Sequence, residues 1–187
     1  KYVPDLASGK VLGAFGLTEP GSGSDAGATI TTAEKNGDEY IINGSKIFIT
    51  NAGISGYLNL TAQIIEDGQQ IGVGAFITEA NNPGLTIAPK EKKMGWCASD
   101  TRQLFFKDMC IPEENMIGAP KDGFKTFLKT LTGGRISIGA LSVGTAEGAY
   151  LKALNYACER EAFGKKIHQF QSVGFKLADM ATKIEAA

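Results

Sequence analysis

The fold class of this 187-residue chain is clearest in residues 29–50, which read TITTAEKNGDEYIINGSKIFIT. The stretch is rich in threonine and isoleucine, which favour β-strands. Asn36-Gly37-Asp38 is a turn signal, and Asn43-Gly44 is a second, stronger hairpin signal because both of its residues tolerate positive φ. Three consecutive strands are therefore predicted, at residues 29–35, 40–42 and 46–50.

The same pattern continues on both sides of this stretch. Five further strands are predicted at residues 11–17, 57–65, 71–78, 85–88 and 103–106. Turn signals separate them, among them Glu66-Asp67-Gly68 and Asn82-Pro83-Gly84. Many short strands at regular spacing, with turn residues between them, predict an antiparallel β-barrel or sandwich.

The chain changes character near residue 120. Apolar residues then recur at helical spacing, which predicts one long helix over residues 123–160 and a second over residues 170–187, joined by a short link. Gly133-Gly134 falls inside the first helix, where such a pair marks a close-packing point or a bend. The predicted fold class is α+β, with a β-domain at residues 1–117 and the long helices of an incomplete helical bundle at residues 118–187.

The second predicted helix is still amphipathic where it reaches Ala187. Because an amphipathic helix gains most of its stability from packing, we expect this chain to be a fragment of a longer protein. Its helices would then leave apolar surface exposed, and we expect the chain to self-associate.

Composition excludes several classes of function. Acidic and basic residues are interleaved with a net charge of −1, so no basic stripe is available for nucleic acid, and the apolar runs are too short to span a membrane. His168 is the single histidine, which excludes a histidine-rich zinc site, and no Gly-x-Ser-x-Gly motif accompanies it for a serine triad. Cys97, Cys110 and Cys158 lack metal-ligand or redox spacing and are expected to be buried thiols in a reducing compartment.

The most informative motif for function is the stretch at residues 16–27, GLTEPGSGSDAG, which follows an apolar strand. Such a loop can present N–H groups and hydroxyls to an anionic or polar ligand, or it can be an ordinary strand-ending turn. Residues 21–26 also fit the loose Gly-x-Gly-x-x-Ala dinucleotide fingerprint. That fingerprint requires a helix directly after it, whereas residues 29–32 read as a strand, so the Rossmann interpretation fails.

Five blocks of sequence, in order along nearly the whole chain, resemble motifs of the acyl-CoA dehydrogenase family. The first, LTEPGSGSD at residues 17–25, resembles the family signature Leu/Val-Thr-Glu-Pro-x-x-Gly-Ser-Asp. The second, NGSKIFITN at residues 43–51, resembles Asn-Gly-x-Lys-x-Trp-Ile-Thr-Asn, with phenylalanine in place of the tryptophan. The other three blocks lie at residues 93–101, 118–124 and 160–171.

The resemblance implies a non-covalently bound FAD with an acyl-CoA thioester against its face. The residues that it assigns to the flavin are Phe15, Leu17, Thr18, Gly23, Ser24, Phe48, Ile49 and Thr50. Thr18 is implied at the pyrimidine edge and Thr50 near N5, whereas the strand pattern alone would make Phe48 a core aromatic. Three more residues are implied to reach the FAD of a neighbouring subunit in a homo-oligomer, a dimer or a tetramer: Arg160, Phe163 and Gln171.

The resemblance also implies contacts with the CoA portion of the substrate. Ser24 and Arg135 match family positions that touch CoA. Many relatives have aspartate at the position of Thr132, so this chain departs from the family there. No metal ion is implied.

The family's reaction is α,β-desaturation of an acyl-CoA, in which a carboxylate removes the α-proton while a hydride leaves Cβ for the flavin. The resemblance implies that this carboxylate is a glutamate beyond Ala187, since the position used by one branch is Gly134 here. Glu19 lies in the signature and is expected to be structural. The chain by itself is therefore expected to be inactive.

The run Gly134-Arg135-Ile136 resembles the short-chain, butyryl-type branch of the family. That implies a role in fatty acid β-oxidation, with an electron-transfer flavoprotein as electron acceptor, in the cytoplasm or in the mitochondrial matrix of a eukaryote. Three alternatives stay open: an enoyl-CoA reductase of the same fold, a structural paralogue that has lost its base, and a β-sandwich binding module with no redox role.

Overall fold

The structure, a computed structural model, describes all residues 1–187 and divides into two compact units, Lys1–Lys129 and Thr130–Ala187. Its strands are β1 (Gly13–Gly16), β2 (Thr32–Asn36), β3 (Glu39–Thr50), β4 (Tyr57–Glu66), β5 (Gln69–Glu79), β6 (Leu85–Ile87), β7 (Thr101–Pro112), β8 (Glu161–Ala162) and β9 (Lys165–Lys166). Its helices are α1 (Val3–Ala7), α2 (Gly123–Glu159) and α3 (Gln171–Ala186).

Seven strands form one mixed sheet in the order β1-β4-β2-β3-β7-β6, with β5 paired to β4. Two of the pairings, β1 with β4 and β2 with β4, are parallel. The expectation of a wholly antiparallel sheet is therefore wrong. It does not close into a barrel, but it is sandwich-like, because Tyr40 of β3 packs edge-on against Phe76 of β5 at 5.1 Å although these strands are not hydrogen-bonded neighbours. The predicted α+β class is confirmed.

The hairpin predicted at Asn43-Gly44 is wrong. The chain passes straight through these residues as part of β3, which pairs with β2 on one side and with β7 on the other. The register against β7 shifts between Ile42 and Gly44, which is a β-bulge. Gly44 has φ 144°, and a Cβ there would lie 2.6 Å from the Thr31 hydroxyl oxygen, so glycine is needed for close approach rather than for a turn.

The first turns of α2 belong to the unit that contains the sheet. Phe127 is buried with Leu17 and Ala75 in a small apolar cluster. Glycine at position 123 lets the helix begin directly against β5, because a Cβ there would lie 2.2 Å from the backbone of Gly74. The boundary between residues 117 and 118 stays a prediction.

Both long helices are confirmed, and α2 runs without a break through Gly133-Gly134. A Cβ at either glycine would meet no atom within 4 Å, so the pair is not a close-packing point within this chain. Much of the apolar surface of α2 is exposed, as expected, including Leu131, Ile136 and Ile138. None of the three helices is long and apolar enough to cross a membrane.

The three cysteines are exposed, and the prediction of buried thiols is therefore wrong. Cys110 shows the reason: it lies on β7 between the fully buried Met109 and Ile111, and successive strand residues face opposite sides of a sheet. On α2 the buried residue is Ala157, and Cys158 is turned away from it because successive helix residues are rotated by about 100° around the axis.

Candidate functional site

The loop at residues 17–31 leaves the sheet at a break between two parallel pairings. β1 pairs with residues 57–60 of β4, and β2 pairs with residues 63–65 on the same edge. On this edge Thr61 and Ala62, which lie between the two segments, have no strand partner, although β5 pairs with them on the opposite edge. The loop that joins β1 to β2 is an excursion away from this gap. A buried charge fills the gap.

That charge is the ammonium group of Lys46, which is 0% exposed. It donates to the Glu19 carboxylate at 2.8 Å, and to Leu17 O, Thr29 Oγ1 and Thr61 Oγ1 at 3.1 Å each. A buried lysine needs such a set of acceptors, because an unpaired charge in a low dielectric is strongly unfavourable. Burial lowers the pKa of Lys46, although the hydrogen bond and the charge of Glu19 oppose this effect.

Glu19 is equally enclosed, with 1% of its side chain exposed. Besides Lys46, it accepts hydrogen bonds from the Thr29 hydroxyl and from the backbone N–H groups of Ile30, at 2.7 Å, and Thr31, at 3.2 Å. Burial alone would raise the pKa of Glu19, but these hydrogen bonds, led by those from Lys46 and Thr29, lower it to about 2. Glu19 is therefore a structural group that is charged at neutral pH, in agreement with the role expected for it.

The tip of the loop faces solvent. Glu19 and Ser22 exchange two backbone hydrogen bonds, of 2.9 and 3.1 Å, and the Ser22 hydroxyl donates to Asp25 O at 2.6 Å. This tight turn leaves Gly23 and Ser24 exposed, and the Ser24 hydroxyl makes no hydrogen bond within the chain. No helix follows the loop, so the rejection of the Rossmann interpretation is confirmed.

A second β-bulge in β3 presents Phe48 outward beside this loop. The register against β7 shifts between Lys46 and Ile49, and Phe48 has φ 60° with 62% of its surface exposed. The bulge also turns the Ile47 N–H toward the loop, where it donates to Thr18 O at 2.9 Å. Phe48 is thus not a core aromatic. A left-handed backbone is costly for a bulky residue, and such strain often occurs at ligand-binding positions.

The other first-unit residues that the resemblance implies fall into two groups. Thr18 is half-buried and Thr50 is exposed, and neither hydroxyl makes a hydrogen bond within the chain, so both are available to a ligand. Leu17 and Ile49 are 9% and 2% exposed, which leaves a ligand little but their backbone. Phe15 is half-buried and stacks on Phe127 with ring centroids 4.2 Å apart.

A second buried carboxylate supports the turn that follows β3, and sequence reasoning missed it. Asp100 accepts hydrogen bonds from the Gly53 N–H at 2.7 Å and from Arg102 Nε at 2.9 Å. Burial alone would raise the pKa of Asp100, but these two bonds and the charge of Arg102 lower it. The signal that could have found it was the Ser99-Asp100-Thr101 block, whose aspartate had no role assigned.

In the second unit, Thr132 and Arg135 are exposed on α2, three residues apart and therefore on nearly the same face. Arg135 lines a shallow groove together with Leu131, Gly134 and Ile138. The groove is mainly apolar at its floor, with the guanidinium as its one charge.

The predicted short link between the two long helices is a small hairpin of β8 and β9. Phe163 and Gly164 form its turn with φ 52° and 76°, both positive, as a type I′ turn requires. Phe163 is 96% exposed, so like Phe48 and Trp96 it is a bulky aromatic held in the left-handed region without burial. Arg160 precedes this hairpin and Gln171 follows it at the start of α3, and both are exposed.

Comparison with known proteins identifies the family. Residues 14–109 match the model "Acyl-CoA dehydrogenase, middle domain", and residues 121–187 match "Acyl-CoA dehydrogenase, C-terminal domain". Among curated relatives, an acyl-CoA dehydrogenase of Bacillus subtilis is 49% identical over the whole chain, and the caffeyl-CoA reductase-Etf complex subunit CarC of Acetobacterium woodii is 42% identical. This chain spans 49% of the length of each of them.

Solved structures agree with this result. The butyryl-CoA dehydrogenase of Megasphaera elsdenii matches 99% of this chain, and 49% of its own, with a TM-score of 0.92 and 46% identity. An acyl-CoA dehydrogenase of Bacillus anthracis complexed with FAD matches 98% of this chain, and 31% of its own, with a TM-score of 0.92 and 40% identity. The chain belongs to the acyl-CoA dehydrogenase family.

Proposed function

We propose that this chain supplies part of the FAD- and acyl-CoA-binding surface of an acyl-CoA dehydrogenase that desaturates short acyl chains and passes electrons to an electron-transfer flavoprotein. The observation that carries the proposal is the bulge at Phe48, which holds an exposed, strained aromatic next to the loop of Leu17 and Thr18. The likeness to a butyryl-CoA dehydrogenase supports the short acyl chain. The proposed compartment is the cytoplasm, or the mitochondrial matrix in a eukaryote.

The first unit fits a flavin in the chemistry of its donors and surfaces. Phe48 offers an exposed aromatic face, and Thr18 and Thr50 offer hydroxyls with no partner in the chain. Gly23 and Ser24 form an exposed tip in which a Cβ at Gly23 would meet no atom within 4 Å, so a ligand can approach the backbone closely. When bound, FAD supplies the acceptor for the substrate hydride, and these residues orient it and exclude water.

The second unit contributes charge and a second aromatic surface to the proposal. Arg135 is proposed to contact CoA, for whose phosphates a guanidinium is a suitable donor, with Thr132 beside it. Arg160, Phe163 and Gln171 are proposed to contact the FAD of a neighbouring subunit, so that each flavin site is completed only in a dimer or tetramer. The domains 1–117 and 118–187 are the proposed functional division.

The catalytic base is proposed to be a glutamate beyond Ala187, and Glu19 is unsuited to the task. A base for a weakly acidic α-proton needs a raised pKa and access to substrate. Glu19 has a pKa of about 2 and four hydrogen-bond donors around a buried carboxylate. This chain without further residues is therefore proposed to bind FAD but not to desaturate acyl-CoA.

The test is the visible spectrum of the chain after it has been mixed with FAD and repurified, before and after addition of butyryl-CoA without oxygen. Bound flavin that stays oxidised supports the proposal. Bound flavin that bleaches would place a base within these residues and contradict the proposed position. A colourless, well-folded chain that ignores FAD would favour the non-redox binding module.

An enoyl-CoA reductase is the second candidate, because a subunit of a caffeyl-CoA reductase complex is 42% identical over the whole chain. The two activities share the same fold. The direction of the reaction depends instead on the flavin potential and on the electron partner. The two candidates are separated in the intact FAD-loaded enzyme of which this chain is proposed to be a part, by supplying it with crotonyl-CoA and reduced electron-transfer flavoprotein. Steady reduction of crotonyl-CoA that exceeds desaturation of butyryl-CoA would favour the reductase.

A further inference from the structure

Two neighbouring residues of β3 hold two neighbouring carbonyl groups of the loop. Lys46 Nζ donates to Leu17 O at 3.1 Å, and the Ile47 N–H donates to Thr18 O at 2.9 Å. Phe48 comes next along β3 and points outward from the bulge. The position of Thr18 relative to Phe48 is therefore fixed by hydrogen bonds from β3 to the backbone of the loop.

The Glu19–Lys46 pair also fixes the returning end of the same loop. Glu19 accepts hydrogen bonds from the N–H groups of Ile30 and Thr31, just before β2 begins. Lys46 is tied to Thr61 on β4 as well, at the break where no strand covers that edge. The outgoing and returning ends of the loop thus meet at one buried pair of charges.

We propose that Glu19 and Lys46 are positioning residues for the flavin: their pair sets the placement of Thr18 against Phe48, and through it the affinity for FAD. This inference rests on the proposed function. Stability alone does not explain the pair, because replacing a buried ion pair with neutral groups of similar volume is often neutral for stability or favourable. Fixing a ligand-binding backbone to fractions of an ångström does call for such a group, since short charge-assisted bonds hold geometry best.

The main test is the double variant Glu19→Gln/Lys46→Met in the FAD-loaded protein. It removes both charges together, so neither is left buried without its partner, and it deletes the bond to Leu17 O. We expect a folded protein with a melting temperature close to that of the unmodified protein, an FAD Kd weaker by at least about tenfold, and an altered visible flavin band. Binding is measured well below the melting temperature.

The matched control is Ile111→Ala, which truncates a fully buried side chain opposite Tyr40 on β3. Tyr40, the partner of Ile111 on β3, is six residues along that strand from Lys46, or about 20 Å. We expect this variant to lower the melting temperature while leaving the FAD Kd and the flavin band unchanged. If the FAD Kd instead weakened in proportion to the loss of melting temperature in both the double variant and Ile111→Ala, the pair would be merely structural. That result would overturn the inference.

A second variant keeps the test decisive if the double variant does not fold. Thr29→Val conserves shape and leaves both charges in place, but it deletes the hydroxyl that bonds to both. We expect an FAD Kd weaker by about fivefold, the equivalent of one hydrogen bond. A folded Thr29→Val protein with unchanged Kd and spectrum would overturn the inference. Failure of the unmodified protein to bind FAD would instead contradict the proposed function.

Discussion

Acid should destabilise this protein through Glu19 in a pH range that the structure defines. The pKa of Glu19 is about 2 in the folded chain, against 4.5 for an ordinary glutamate. Because the folded pKa is the lower one, the stabilising effect is complete above pH 4.5 and is lost as the pH falls toward 2. At about 1.4 kcal/mol for each unit of pKa difference, the loss is about 3 kcal/mol.

The measurement is a series of urea unfolding curves at pH 6, 5, 4, 3 and 2.5, followed by far-ultraviolet circular dichroism. The double variant Glu19→Gln/Lys46→Met is the reference, since it lacks this titration but keeps every other carboxylate, including Asp100. We expect the free energy of unfolding of the unmodified protein to fall by about 2 to 3 kcal/mol more than that of the variant over this range.

Two outcomes would refute this reasoning. Parallel pH profiles for the two proteins would mean that Glu19 titrates in the folded chain as it does in the unfolded chain, despite its four donors. A divergence confined to pH values above 5, where Glu19 is charged in both the folded and the unfolded chain, would assign the effect to another group. A single variant, Lys46→Met, should be less stable than either protein by about 3 to 5 kcal/mol at pH 7, because it leaves the Glu19 carboxylate buried and unpaired.

Three further predictions concern other parts of the chain. Phe48→Gly should stabilise the protein by about 1 kcal/mol in urea unfolding, because glycine adopts φ 60° without strain, and it should weaken FAD binding by about tenfold in a flavin titration; tighter binding would contradict the role of the aromatic face. Gly44→Ala should cost about 2 to 3 kcal/mol in the same unfolding measurement, since its Cβ would lie 2.8 Å from the Thr31 backbone at φ 144°, whereas Gly37→Ala, which meets no atom within 4 Å, should cost less. The exposed apolar residues of α2 should make this chain associate with increasing concentration in sedimentation, and Ile138→Lys should reduce that association; a monomer at all concentrations would contradict the prediction.

Periodicity was sufficient to predict most of the secondary structure. The alternation of β4 and β5 and the helical spacing after residue 120 are local properties, and both long helices were placed within one or two residues of their observed ends. The hairpin at Asn43-Gly44 failed because its local turn signal competes with a contact that is remote in sequence. Thr31 lies against Gly44, and β7 pairs with β3 on both sides of it, so the strand continues.

The parallel pairings were not predictable for the same physical reason. Whether β1 and β2 lie along β4 or along each other depends on where the loop between them goes, and the break between them is filled by Lys46, which is remote in sequence. The exposure of Phe48 was also hidden, because a β-bulge shifts the alternation of sides by one residue and leaves no mark in the residue types.

The two motifs that most clearly indicate the family are a single structure in three dimensions. Glu19 belongs to the first motif and Lys46 to the second, 27 residues apart in sequence and 2.8 Å apart in the fold. Their pair is completed by Thr29 and Thr61, which lie in neither motif. Motif matching therefore finds the charges and misses the hydroxyls that satisfy them. Since the N–H groups of a buried ammonium must find acceptors, a change at Thr61 should disturb this loop as directly as a change inside the signature.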